Sequence, residues 1–232
     1  MSVARGGMVL VMSLAALGGV AVLESCDRAG PTAPGIDSAL AAEGKQIFRY
    51  DTFGDEQYWT DTLHMHEVIQ AAVSPRAALS VGLKVDVEAL PQSVLDALAA
   101  GEIDLDDPAV TVTLLKLNAV VGAQGTVETI DGRDTLTSFG ITCAVCHSTV
   151  DNSFAPGIGK RLDGWANTTL NPGAIVALSP AVDAATKAIL NSWGPGKYDP
   201  RINFDGLNTR LAIPPAYGLR GVDKETFTAE GA

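Results

Sequence analysis

The sequence predicts a mainly α-helical domain with one small β-hairpin. Apolar residues recur over residues 55–72 at the spacing of a helix that buries one face. Asp107-Pro108 combines a capping residue with proline at the first helical position. Asp131-Gly132 is a hairpin turn pair between two segments that look like strands. Helical signals outnumber strand signals, so we expect helices to dominate.

Three helices are predicted before the hairpin. The first covers residues 55–72, and the acidic pair in its first turn suits the helix dipole. The second covers residues 91–100 and ends at Gly101. The third begins at Asp107-Pro108. These helices are expected to form most of an N-terminal extension over residues 46–120.

The hairpin and two more helices complete the predicted order. Residues 120–129 and 135–142 are the two strands, and the second strand leads directly into the motif described next. Asn171-Pro172 and Ser179-Pro180 each mark a helix start, and the second of these helices is predicted over residues 180–193.

The motif Cys143-Ala144-Val145-Cys146-His147 carries the strongest chemical signal in the chain. C-x-x-C-H is the signature of covalent haem c attachment. Two thiols at this spacing can add to the two vinyl groups of one haem, and His147 can then bind the iron from the proximal side. The motif therefore predicts one covalent haem c.

Two other interpretations of the cysteine pair remain. A dithiol redox site would need a strand–loop–helix unit around the pair, and no buried parallel strand is predicted before Cys143. A zinc site would need His64 and His66 to complete a Cys2His2 set. Those two histidines point about 160° apart on a continuous helix, which counts against zinc.

The N-terminus indicates export. Residues 1–25 contain Arg5 and then a short apolar stretch, which is typical of a secretory signal peptide. The stretch ends Leu23-Glu24-Ser25-Cys26, which resembles a bacterial lipobox although Glu24 departs from the pattern. We expect Cys26 to be lipidated. The alternative is an ordinary signal peptide that leaves Cys26 as a free thiol.

Domain organisation and charge follow from this N-terminus. Residues 26–45 are expected to be a tether, and residues 46–232 a single domain in the periplasm, held at a membrane by the lipid on Cys26. The net charge of −11 counts against nucleic-acid binding and against attraction to anionic lipid. It favours a basic redox partner protein.

The sequence contains few candidates for the sixth ligand of the haem iron. No methionine follows Met65, and the only other histidines are His64 and His66. On a continuous helix from Trp59, His66 lies in the middle of the apolar stripe and Met65 at its edge. We therefore rank His66 before Met65 as the distal ligand. The alternatives are a core histidine, a ligand from outside this chain, or an open iron site.

The segment after the motif supplies candidates for the haem pocket. A backbone carbonyl in the turn-rich loop 155–159, such as that of Pro156, could accept the second ring N–H of His147. Lys160 and Arg161 could meet haem propionates, and the Trp165 indole could donate to one. The alternative is a solvated basic pair and a core tryptophan.

The chain resembles bacterial exported c-type cytochromes of the cytochrome c domain superfamily. The resemblance runs from Phe48 to Leu219 and rests on a few segments. They are RYDTFGDEQYWTDTLHMHEVI, LSVGLKVDVEALP, LKLNAVVG, GITCAVCHSTVDNSFAPGIGKRLDGWANTTLNPGAIVAL and SWGPGKYDP. It implies a cytochrome c-like haem domain and carries haem binding over to Cys143, Cys146 and His147.

The tail sequence Ile213-Pro214-Pro215-Ala216-Tyr217-Gly218-Leu219 is similar to a segment of larger haem c proteins related to di-haem peroxidases and oxygenases. In those proteins a further helix with an axial Met or His follows. The resemblance therefore implies a C-terminally shortened sequence.

The expected function is single-electron transfer in the bacterial cell envelope. One alternative is an open-site haem protein that acts on peroxide or oxygen, with His66 as its acid–base group. Another is a gas-binding haem module or the haem subunit of a larger complex. No substrate pocket or acid–base pair is evident in the sequence, so an electron carrier is preferred over an enzyme.

Overall fold

The computed structural model describes residues 37–199 and 210–218. All of these except Asp37 belong to one compact unit, Ser38–Ala232. The predicted signal peptide and Cys26 lie outside the described residues. No helix within the described residues is long and apolar enough to span a membrane.

The helices follow one another along the described chain. The α-helices are α1 (Ser38–Tyr50), α2 (Met65–Ala72), α3 (Pro75–Ser80), α4 (Gln92–Ala100), α5 (Pro108–Lys116), α6 (Cys143–His147), α7 (Pro172–Val176) and α8 (Ala184–Asn191). A π-helix (Gln57–Thr62) precedes α2, and a 3₁₀ turn (Val87–Ala89) precedes α4. Helix α1 includes residues 38–45, the end of the expected tether.

Strands within the described residues form four two-stranded sheets. They are β1 (Val85–Asp86) parallel to β5 (Ile158–Gly159), and three antiparallel pairs: β2 (Ala123–Ile130) with β3 (Arg133–Ile141), β4 (Ser148–Val150) with β6 (Arg161–Asp163), and β7 (Lys197–Tyr198) with β8 (Leu211–Ala212). The prediction of a mainly α fold is wrong, because these strands make the fold a mixture of helices and small sheets. Three of the sheets pair short segments that local sequence patterns do not reveal.

The hairpin of β2 and β3 is present, and its turn has the predicted residues. Asp131 and Gly132 have φ angles of 51° and 76°, which is the left-handed backbone that a two-residue hairpin turn requires. The register shifts between Thr126 and Val127, which pair with Ser138 and Leu136, so Thr137 is the extra residue of a bulge in β3. Strand β3 leads into α6 as expected.

The predicted helix over residues 55–72 is not continuous. The π-helix ends at Thr62, and His64 has a φ of 53°, so α2 starts afresh at Met65. A left-handed residue breaks the helical hydrogen-bond pattern and changes the direction of the chain. The faces that a continuous helix assigns to Met65 and His66 therefore do not hold: Met65 is buried and His66 is only half-buried, whereas His64 is exposed, as a residue on the polar face would be.

Helix caps explain the other boundaries. Gly101, with a φ of 72°, ends α4, and the Asp107 side chain accepts from the Ala109 amide at the start of α5. The last long helix starts later than predicted. Asp183 caps α8, while the buried Ser179 hydroxyl donates to the Leu63 carbonyl at 2.7 Å.

Two apolar clusters position the motif. The larger cluster packs α2 and α5 against the hairpin, with Met65, Leu115 and Phe139 among its buried residues. Phe48 of α1 packs against Ala144 of α6 in a second, smaller cluster. The motif helix is therefore held between α1 and the hairpin.

Candidate haem attachment site

The C-x-x-C-H motif forms the short helix α6. The Thr142 hydroxyl caps it by accepting from the Ala144 amide at 3.2 Å. Cys143 and Cys146 are three residues apart, so their side chains leave the same side of the helix. Both are free thiols; Cys143 is exposed and Cys146 is half-buried. One group could therefore bond to both sulfur atoms.

Gly122, at the entry to the hairpin, lies directly against this helix. A Cβ atom added to Gly122 would stand 2.0 Å from the Val145 amide nitrogen, and the φ of Gly122 is 74°. The Thr142 amide donates to the Gly122 carbonyl at 2.9 Å. Only glycine allows the backbone to approach this closely, so Gly122 fixes the hairpin to the motif.

His147 is oriented by the tail of the described chain. Its Nδ1 atom lies 2.8 Å from the carbonyl oxygen of Pro214. A carbonyl only accepts, so Nδ1 is the protonated nitrogen, and in the neutral ring Nε2 is the nitrogen with the lone pair that a metal would take. Pro156, the residue expected in this role, is exposed on a loop. Its place is taken by Pro214, 67 residues from the histidine.

Three backbone hydrogen bonds hold the Pro214 segment in place. The Ile213 amide donates to the Gly196 carbonyl at 2.9 Å, and the Ala216 amide donates to the Gly164 carbonyl at 2.8 Å. The Gly164 amide in turn donates to the His147 carbonyl at 2.8 Å. The segment is thus held on both sides of Pro214, and the bond after Pro214 leads through Gly164 to the motif.

An apolar cavity of about 120 Å³ lies beside Cys146. Its walls include Trp59, Phe139, Leu170, Ile175 and Val176. Burial, together with the nearby Cys143 thiol, raises the pKa of Cys146 to about 11. Cys146 is therefore a neutral thiol at neutral pH, which suits an apolar environment.

Trp59 is fixed in the wall of this cavity by Asp55. The indole Nε1 donates to the Asp55 carboxylate at 3.1 Å, and the same carboxylate accepts from the Ile141 amide at 3.1 Å. The ring also meets Phe139 edge-on, with 5.9 Å between ring centroids. No local sequence pattern relates Asp55 to Ile141, so this role of Asp55 could not be predicted from the sequence.

Met65 lines a second, smaller apolar cavity of about 50 Å³. The two cavities have four wall residues in common: Leu83, Ala123, Phe139 and Ile175. Met65 is only 2 % exposed. Met65 is therefore buried in the apolar layer that also borders Cys146.

His66 is placed differently from the sequence-based expectation. It lines neither of these two cavities, and its side chain is 20 % exposed. Its Nε2 lies 3.9 Å from the Glu67 carboxylate, while its Nδ1 is buried without a hydrogen-bond partner among the described residues. Of these two residues, the structure thus places Met65, and not His66, in the wall of the smaller apolar cavity.

Arg161 belongs to a buried ion-pair cluster. Its side chain is 3 % exposed, and its Nε donates to Asp163 at 2.7 Å. Asp163 also accepts from Arg49 and from the Ser148 hydroxyl. Burial would raise the pKa of Asp163, but these hydrogen bonds and the two guanidinium charges hold it below its ordinary value. Arg161 Nη2 is buried and has no hydrogen-bond partner among the described residues, so this nitrogen still has N–H groups that could donate to a bound anion.

Lys160 and Trp165 lie at the surface. Lys160 is exposed, and Trp165 is 54 % exposed, with its ring at a tilt of 57° to Tyr217 and 5.6 Å between ring centroids. Neither residue lines the cavity beside Cys146. The structure therefore does not bring the predicted propionate ligands together at the thiols.

The zinc and dithiol interpretations gain no support from the geometry. Among residues 37–199 and 210–218, no three His, Cys, Asp or Glu side chains are grouped so that they could hold a metal ion. The strand before α6 is the antiparallel β3, not the buried parallel strand that a dithiol site would need. The two thiols and the oriented imidazole lie on α6, and the apolar cavity borders Cys146.

Comparisons of this chain with protein-family models, with curated proteins and with solved structures found no match. The functional assignment therefore rests on the residues of the chain itself.

Proposed function

We propose that this chain binds one haem c covalently through Cys143 and Cys146 and transfers single electrons. The observation that carries the proposal is the contact between His147 Nδ1 and the Pro214 carbonyl, which leaves Nε2 as a ligand for iron. When bound, the haem supplies one-electron chemistry at its iron. His147 would be the proximal ligand.

The Pro214 carbonyl has two effects on His147. It fixes the orientation of the imidazole ring, and it increases the electron density that Nε2 can donate. A stronger donor favours the oxidised state of a bound metal. Pro214 would therefore help to set the reduction potential.

The apolar side chains around Cys146 would exclude water from the haem. Their cavity and the neighbouring one provide about 120 and 50 Å³ of free space, which is less than the 300–1,000 Å³ usual for ligand sites. The wall residues common to both cavities would therefore have to separate when the haem is attached. Such a separation would join the Cys146 side to the Met65 side.

We propose Met65 as the distal ligand on this basis. It is buried, and its thioether is a soft ligand that suits haem iron. With His147 and Met65 both holding the iron, electron transfer would be favoured over the binding of peroxide or oxygen.

We further propose that the protein is exported and held at a membrane by a lipid on Cys26. The grounds are the apolar N-terminal stretch and the lipobox-like sequence. The net charge of −11 favours a basic redox partner protein.

The haem assignment is tested with full-length protein produced in a host that attaches haem c. A pyridine haemochrome spectrum should show thioether-linked haem, and Cys143→Ala/Cys146→Ala should abolish it. Cys26→Ala is the matched control and should keep the haem, because Cys26 lies outside the motif. Haem that is extracted without breaking a covalent bond, or stoichiometric zinc, would refute the assignment.

A further inference from the structure

Lys84 is a buried cation for which the described part of the chain provides no carboxylate partner. It is 8 % exposed, and its Nζ donates to the Thr169 hydroxyl at 2.7 Å. No ion pair with Lys84 exists among the described residues, and burial lowers its pKa. A buried charge is costly unless it is compensated, so an opposite charge beside Lys84 would be stabilised.

Lys84 lines a polar cleft of about 500 Å³ that is separate from the cavity beside Cys146. The two have no wall residue in common: Leu83 lines the apolar cavity, whereas Gly82 and Lys84 line the cleft. The cleft is large enough for a small molecule, whose usual sites measure 300–1,000 Å³.

The chemistry of the cleft favours an anion. Of the described residues in its wall, Lys84 alone is ionisable, and Thr149, Thr168 and Thr169 add hydroxyl groups. Asp151 adjoins the wall in sequence, but its carboxylate accepts from the backbone amides of neighbouring loop residues. The cleft is thus a positive site on a protein whose net charge is −11.

We propose that this cleft binds a small anion through a carboxylate or phosphate group, with Lys84 as the charged donor. Lysine carries three N–H donors, and Thr169 accepts one of them, so two remain for an anion. Charge-assisted hydrogen bonds of this kind are about twice as strong as neutral ones. The proposal does not depend on the haem assignment.

The cleft is also connected to the motif helix. The Thr169 hydroxyl donates to the side-chain carbonyl of Asn167 at 2.9 Å. The backbone N–H of Asn167 donates to the Cys146 carbonyl at 2.8 Å. An anion on Lys84 would therefore stabilise the segment that is hydrogen-bonded to the motif.

The test is a titration of the full-length protein with inorganic phosphate and, separately, with acetate. Ionic strength is held constant, and binding is followed by calorimetry. We expect saturable binding of one equivalent of at least one of the two anions. Lys84→Met should weaken it about tenfold or more, because the charge-assisted bonds are lost. Lys160→Met, an exposed lysine from the same region, should leave the affinity unchanged.

Absence of saturable binding by both anions, or equal affinity in wild type and Lys84→Met, would overturn the proposal. A second measurement on the wild-type protein covers the case in which Lys84→Met does not fold. Reductive methylation of lysines is mapped by mass spectrometry with and without the anion that binds. Protection of Lys84 but not of Lys160 supports the site, and equal modification of Lys84 in both samples contradicts it.

Discussion

At the residue scale, the chemistry of the proposed haem site depends on Met65 and His66. Met65 lines the apolar layer that borders Cys146, whereas His66 lies half-buried beside Glu67. A methionine and a histidine ligand give haem iron different potentials, and the absence of both would leave an open site. Whether Met65, His66 or neither residue binds the iron therefore distinguishes an electron carrier from a ligand-binding haem protein.

Met65→Leu should convert a low-spin haem spectrum to a high-spin one and allow cyanide and carbon monoxide to bind. Leucine keeps the volume of methionine and costs less than about 1.5 kcal/mol of stability, so the effect reports ligation rather than unfolding. His66→Ala is the matched control and should leave the visible spectrum unchanged. A high-spin His66→Ala with an unchanged Met65→Leu would assign the ligand to His66. A high-spin wild-type spectrum would indicate an open iron site.

The residues of the motif could be found from the sequence, but their supporting partners could not. Cys143, Cys146 and His147 are adjacent in the chain, and their spacing carries the chemistry. The partner of His147 is Pro214, which is brought to the imidazole only by folding. The prediction that Pro156 supplies this carbonyl is based on its closeness to His147 in the sequence, and the structure places Pro214 there instead.

At the element scale, the hairpin and the motif helix form one structural unit. Gly122 lies where β2 approaches α6, with no room for a side chain. Gly132 also has a positive φ, but a Cβ added there would meet nothing within 4 Å. The two glycines therefore separate the effect of close packing from the effect of backbone strain.

Gly122→Ala should destabilise the protein by more than about 4 kcal/mol and reduce haem attachment, because the new Cβ would force the hairpin away from Val145. Gly132→Ala should cost only about 1 kcal/mol, since it adds strain without a clash. The free energy of unfolding is measured by urea denaturation of both variants. Equal losses in the two variants would contradict the close approach.

The helical elements show what local sequence predicts well. Asp107 and Gly101 bound their helices as expected, because a cap depends on a few consecutive residues. The break at His64 was not predicted, since no glycine or proline marks it. That single left-handed residue changed which side chain of α2 reaches the cavity.

At the scale of the whole molecule, the tail of the described chain completes the site. Strand β8 pairs with β7, Ile213 is buried with Val145 and Leu170, and Pro214 then meets His147. This packing joins segments far apart in sequence, which makes the geometry of the imidazole dependent on the fold as a whole.

A chain that ends after Arg210 should keep covalent haem but show a higher reduction potential. His147 loses the Pro214 carbonyl, so Nε2 donates less electron density and the oxidised state is less favoured. Loss of the buried Ile213 side chain should also cost about 2–5 kcal/mol of stability.

The reduction potentials of the truncated chains are measured by spectroelectrochemistry. A chain that ends after Gly218 keeps every described contact of the tail and serves as the control. Equal potentials in the two truncated chains would argue against the role of Pro214.

The sequence by itself determined the C-x-x-C-H motif on which the proposed haem attachment rests, the helix caps and the hairpin turn. Each of these depends on residues that are neighbours in the chain, so spacing and local backbone preferences suffice to find them. The tertiary structure decided the mixed fold, the Pro214 contact with His147, the place of Met65 and the separate cleft of Lys84. Those features arise from packing between distant segments, and one left-handed residue at His64 is enough to redirect a side chain that periodicity alone assigns to another face.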